Sequence, residues 1–191
     1  MNEGLPSPEE ALKILKDLGC SNEVIRHCET VAKLAVKIVS KCLEKGVNVD
    51  MQLVYIGALL HDVGRSKTHS VHHAIIGAEI ARSLGLADKI VAIIERHVGG
   101  GISSEEAVKL GWPKKDYMPE TIEEKIVLCA DKMVEGSNVV PIEETIRRFK
   151  EELGVDHPAV ERIRRIYHEI LSLCSCNDLL NNLDALNQKD I

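Results

Sequence analysis

Apolar positions along this chain recur with a helical period in nearly every segment, and almost nothing alternates with the period of two that a strand needs. Ser7-Pro8-Glu9-Glu10 has the form of a capping box with proline at the first helical position, which predicts a short helix ending at Gly19. Ser21 or Asn22 starts a long helix that reaches Lys45 and stops at Gly46. Asp50 can cap a helix carrying Leu53, Val54, Ile56, Leu59 and Leu60, which runs into His61-Asp62 and breaks at Gly64. Ser70 opens the next, to Leu84-Gly85, and Asp88 caps another that reaches His97 before Gly99-Gly100-Gly101, which reads as a helix stop or as room for a substrate to approach the backbone. The stretch containing Pro113 and Pro119 reads as a polar connector. Beyond it, Thr121-Ile122-Glu123-Glu124 is a second capping box leading a helix through Asp131. Pro141 opens a helix with Ile142, Ile146, Phe149 and Leu153 on one stripe, and Pro158 opens the last, with Ile163, Ile166, Ile170 and Leu171 inward. The pattern predicts an all-α domain of seven or eight helices, with residues 177–191, rich in Asn and Asp, frayed. No repeat, low-complexity tract or Pro/Gly linker divides residues 1–191, so they are expected to form a single domain.

Composition narrows this picture. At 191 residues and 45% hydrophobic, the chain can bury a proper core. Its 24 Lys+Arg against 30 Asp+Glu give a net charge of −6, which argues against nonspecific nucleic-acid binding, where a cationic stripe supplies most of the affinity. No apolar run approaches the roughly 20 residues of a membrane span, and the first residues do not read as a signal peptide, so a soluble, cytoplasmic protein is expected. The six cysteines form no Cys-x-x-Cys pair and sit among aliphatic residues, where they read as reduced, small hydrophobes.

The histidines change the picture most. Six of the eight precede residue 100, and four of those fall on apolar stripes or at their ends. His27 shares a face with Val31, Leu34 and Ile38; His61 and Asp62 close an apolar helix; His73 shares a face with Ile76, Gly77 and Ile80; His97 follows Ile90, Ile93 and Ile94; Asp131 follows Val127 and Leu128. A single histidine so placed is ordinarily a satisfied core residue, but unpaired buried carboxylates are expensive. Four histidines and two aspartates aimed inward together are explained by divalent metal, whose ligands these are.

His27, the adjacent His61-Asp62 and a later Asp131 in Ala130-Asp131-Lys132 form a pattern that resembles the HD-domain metal-dependent phosphohydrolases, over about residues 21–135. The resemblance implies an HD-type helical bundle with its metal-binding core over that span, and the C-terminal helices, over about 139–176, follow it. It also implies one ion held by His27, His61, Asp62 and Asp131. Branches with two further histidines hold a second ion with the aspartate of the pair bridging, and His73 and His97 match those positions; His69 and His72 stand within a turn of His73. The implied cofactor is two divalent ions, of Fe, Mn, Zn, Co or Ni. The implied activity is hydrolysis of a small phosphate ester (a nucleotide, a phosphomonoester or a cyclic phosphodiester) by metal-bound hydroxide, with Asp62 as a catalytic ligand. Arg65 and Lys67, directly after the pair, would hold phosphoryl oxygens; Arg26 and Lys132 flank ligands and are lesser candidates for that part. No Gly-x-Ser-x-Gly elbow or Walker loop competes with this reading. Two alternatives share the same residues: a di-iron oxygenase, and a regulatory module on the same scaffold.

Overall fold

The computed structural model describes residues 4–176. Its helices are α1 (Pro8–Asp17), α2 (Asn22–Glu44), α3 (Met51–Leu60), α4 (His73–Ser83), α5 (Asp88–Arg96), α6 (Ser104–Lys109), α7 (Ile122–Lys132), α8 (Ile142–Leu153) and α9 (Pro158–Cys174). A hairpin of two-residue strands, β1 (Val134–Glu135) and β2 (Asn138–Val139), joins α7 to α8. The all-α expectation holds. The expected fraying of residues 177–191 concerns residues outside those described.

Local chemistry sets most boundaries. Ser7 and Glu10 close the capping box of α1, and the side chains of Ser21 and Asp50 cap α2 and α3. At α7, Thr121 caps through Glu124 N, but Glu124 does not return to it; its carboxylate takes the Glu120 N–H and Arg96 instead. Helix α4 begins at His73 rather than Ser70, because Ser70 forms a turn whose carbonyl accepts both the backbone N–H and the ring of His73. Within the expected connector lies the short α6, opened by a complete Ser103–Glu106 capping box.

Helix α2 is the spine. It buries Val31, Leu34 and Ile38 and packs against α3, α7 and α9. Helix α3 is apolar nearly all round and is buried accordingly. A smaller second core of Ala74, Ile102, Ala107, Trp112 and Tyr117 lies beneath residues 102–117, which form a cap. The cap is fastened to α9 by Arg162–Glu106 (2.9 Å) and to α5 by Lys115–Glu95 (2.7 Å).

One expectation is overturned: Cys42 and Cys174 are not free thiols but a disulfide joining the ends of α2 and α9. They are 132 residues apart, and only the packing of the two helices aligns them. Cys20, Cys28, Cys129 and Cys176 are free and buried. Among the described residues no helix is long and apolar enough to cross a membrane.

Candidate metal centre

Five elements deliver one cluster. His27 comes from α2, His61 and Asp62 from the end of α3, His73 from the first position of α4, His97 from the end of α5, and Asp131 from the last turn of α7. All but His27 and Asp131 are almost completely buried. The approach of α4 to the turn after Asp62 depends on Gly64: a β-carbon there would lie 1.9 Å from the carbonyl oxygen of His73.

Each of the four imidazoles uses its Nδ1 in the same way. Nδ1 of His27 donates to Gly136 O (3.0 Å), of His61 to Ala58 O (2.7 Å), of His73 to Ser70 O (2.7 Å) and of His97 to Ile94 O (2.7 Å). A carbonyl can only accept, so the hydrogen-bond network assigns the proton to Nδ1 and leaves each Nε2 with its lone pair. The four Nε2 atoms converge on the two carboxylates. Asp131 Oδ1 lies 3.1 Å from His27 Nε2 and 3.4 Å from His61 Nε2. Asp62 Oδ2 faces the same two nitrogens at 3.9 and 3.8 Å, while its Oδ1 faces His73 and His97 at 3.1 and 3.5 Å. Asp62 therefore stands between two groups of donors.

This arrangement fits divalent cations and is poorly satisfied without positive charge. His73 Nε2 and His97 Nε2 are 3.0 Å apart, two lone pairs facing one another. His61 Nε2 and Asp62 Oδ1 are buried without a hydrogen bond of proper geometry. Burial pushes His97 down to about 4, which keeps its ring neutral. Burial alone would raise both carboxyls, yet His61 beside Asp62 and Lys132 beside Asp131 hold them well below the usual carboxylate range. Burial also works against a charged His61, but the neighbouring Asp62 carries it well above 6.5, so the lone pair of its neutral form on Nε2 calls for a positive charge, a second proton or a cation. Nitrogen and carboxylate donors whose outer nitrogens are fixed by backbone carbonyls have the form of a ligand set with its supporting shell. Two groups, His27-His61-Asp131 and His61-Asp62-His97, bring their donor atoms within 4.8 Å of one another.

The cluster opens into a cavity of about 850 Å³. Arg65 lines it and donates through Nε to Asp62 Oδ2 at 2.5 Å. Lys67 is exposed and does not line it, so the structure does not bring this expected phosphate contact to the site. Arg26 is likewise exposed and outside the lining. Lys132, a lesser candidate from sequence, takes the place of Lys67 as a cavity cation: its Nζ is 2.6 Å from Asp131 Oδ2. His69 lies at the cavity wall, and His72 has both ring nitrogens engaged, by Ser70 Oγ and Leu110 O. Of the three, only His73 reaches the centre. Sequence reasoning missed the far wall, from Arg148 and Phe149 to His157, because the α8 stripe reads as core throughout; no sequence signal marks it.

A family model described as HD domain matches residues 24–136. An uncharacterized protein of Methanocaldococcus jannaschii is 47% identical over 165 residues, covering 86% of this chain and 97% of that protein. The tRNA (cytidine(56)-2'-O)-methyltransferase of Picrophilus torridus is 43% identical over 179 residues; the match takes in 91% of this chain but spans only half, 50%, of the methyltransferase. The Ribonuclease Y of Acidothermus cellulolyticus is 30% identical over 147 residues, 73% of this chain and 26% of that protein. With the histidine-aspartate cluster seated inside the matched span, this chain belongs to the HD domain family.

Proposed function

We propose that this chain is a metal-dependent hydrolase of small phosphate esters. The observation that carries the reading is the convergence of four Nε2 lone pairs on two carboxylates while every Nδ1–H is spent on a backbone carbonyl. His27, His61, Asp62 and Asp131 would hold one divalent ion; His73 and His97 would hold a second, with Asp62 shared between them. Nitrogen and oxygen donors of this kind suit Fe, Mn, Zn, Co or Ni. When bound, such ions polarise phosphoryl oxygens and bring bound water toward neutral pKa.

The chain supplies the rest. The backbone carbonyls fix the imidazole planes so that no reorganisation is needed when charge develops. Arg65 and Lys132, both in the cavity wall, are placed to hold nonbridging oxygens of a phosphoryl group. The cavity is of the size that encloses a small molecule. The name Ribonuclease Y, carried by a relative that shares this region, agrees with phosphate-ester chemistry.

His61→Ala and Asp62→Ala test the reading. Each is expected to lose bound metal, read by elemental analysis, and activity toward phosphate esters, while circular dichroism stays helical. Full metal occupancy in either variant would sink the assignment. Turnover that requires dioxygen, with no phosphate ester hydrolysed by any metal form, would replace the hydrolase by an oxygenase.

A further inference from the structure

Helix α5 ends in three consecutive ionisable residues, Glu95, Arg96 and His97, and each serves a different neighbour. Glu95 accepts from Arg82 of α4 at 2.7 Å and from Lys115 of the cap at 2.7 Å. Arg96 donates through Nη1 to Glu124 of α7, 3.0 and 3.3 Å from its two oxygens, and pairs with Glu120 at 2.9 Å just before that helix. His97 turns to the centre, its Nε2 3.0 Å from His73 Nε2 and 3.5 Å from Asp62 Oδ1. The helices gripped in this way are ones that carry proposed ligands. Helix α4 begins with His73, and α7 places Asp131 two turns beyond Glu124 on the same face. Glu95 and Glu124 are 5% and 6% exposed, and besides Asp62 no carboxylate among the described residues is buried as deeply. Burying an ion pair costs desolvation that its attraction barely returns, and an apolar pair of the same volume often stabilises as well or better. What such a pair can add is direction, holding one helix against another at a defined register.

We propose that Glu95 and Arg96 are positioning residues for the second ion. They act through His97 and His73: the Glu95–Arg82 pair sets α5 against α4, and the Arg96–Glu124 pair sets α5 against α7. The proposal rests on the two-ion reading of the centre given above, not on the reaction assigned to it. The first ion's ligands have their own support. His27, His61 and Asp131 come from α2, α3 and α7, which pack on one another in the main core without help from either pair. Helix α4 has no such footing, since it packs on α5 and on the turn after Asp62. Loosening the end of α5 therefore moves the second site and spares the first.

Metal-free protein titrated with Mn2+ alone is the test, with free Mn2+ and the signal of a spin-coupled Mn2+ pair read by electron paramagnetic resonance. The wild type is expected to take up two ions per chain in two steps. Glu95→Gln keeps the shape of the side chain and is expected to weaken the second step roughly ten- to a hundredfold, the scale on which groups behind metal ligands act, and to leave the first unchanged. Arg96→Met and Glu124→Gln cut one pair from its two ends. Each is expected to weaken the second step in the same way, and the double variant to lose no more than the worse of the two. Glu169→Gln cuts the Lys125–Glu169 pair (2.6 Å), which joins α7 to α9, and is expected to leave both steps as in the wild type. Circular dichroism melts set a titration temperature at which every variant is folded. A part in stability alone would lower the melting temperature without separating the two steps. Equal weakening of both steps, an unchanged second step, additive losses in the double variant, or a wild type that saturates at one ion overturns the proposal. Phosphate release is scored separately. A second step that depends on Glu95 and Arg96, with no ester hydrolysed, removes the hydrolase and keeps the positioning residues; hydrolysis by a protein whose second step ignores them does the reverse.

Discussion

Arg65 donates to Asp62 Oδ2 and reaches the His69 carbonyl at 3.5 Å, so its guanidinium is steered along the edge of the centre rather than into solvent. In the proposed reaction it acts on charge that builds up on the phosphoryl oxygens. A charge-assisted hydrogen bond of that kind contributes about 1.5–3 kcal/mol, so Arg65→Ala should keep its metal content and lose roughly ten- to a hundredfold in kcat/KM toward a phosphate ester. Loss of metal along with activity would show that Arg65 instead serves the ligand set. The clustered histidines and aspartates, the proposed ligands, were legible in the sequence because they fall on or at the ends of apolar stripes, and a buried polar group in such a place needs a reason. Adjacency along the chain says nothing about direction: the turn over Val63–Ser66 sends Arg65 to the cavity and leaves Lys67 exposed outside its lining. Lys132 follows Asp131 immediately, and its side chain folds back onto that carboxylate.

At the level of elements, the cap is where sequence and structure part most. Six residues are too few to show an amphipathic stripe, and so short a helix is not stable by itself. Its capping box, Ser103 to Glu106, was visible but had no periodic segment behind it; tertiary contacts supply the stability that local propensity lacks. Glu106 does double service, accepting from Ser103 N at 2.7 Å and pairing with Arg162 across to α9. Burial opposes its charge, but those partners hold its pKa below the ordinary 4.5. The folded state therefore binds fewer protons than the unfolded one between the two values. The stabilisation is complete above 4.5 and drains away as pH falls through the lowered folded value. Thermal melts of wild type and Glu106→Gln should accordingly differ at neutral pH and converge as the solution is taken below 4.5. A difference that stays constant into acid would mean that the side chain acts by shape rather than by charge. The other helix ends were legible because Ser7, Ser21 and Asp50 act through hydrogen bonds to backbone three positions away, which sequence displays directly.

For the molecule as a whole, a net charge of −6 gives a surface that repels long polyanions, and the cavity wall shares that character, since Arg65, Lys132 and Arg148 are each paired with a carboxylate. Whole-chain relationships are also what the sequence hides best. The α8 stripe could not reveal that Phe149 both packs against the core and lines the cavity, nor could residues 42 and 174 announce one another across 132 positions. The bond between those two cysteines turns most of the chain into a closed ring. His61, Asp62, His73, His97 and Asp131 all lie on the ring, as does the turn after α8, where Val155 is 68% exposed. A protease that nicks this turn opens the ring without parting it. On a denaturing gel the nicked protein should run as one species until a reductant is added, and only then as two; two bands in the absence of reductant would mean that no bond closes the ring. Unfolding leaves the loop intact as well, so five of the six proposed ligands are never farther apart than a tethered coil allows, and the chain brings them back together from a contracted ensemble.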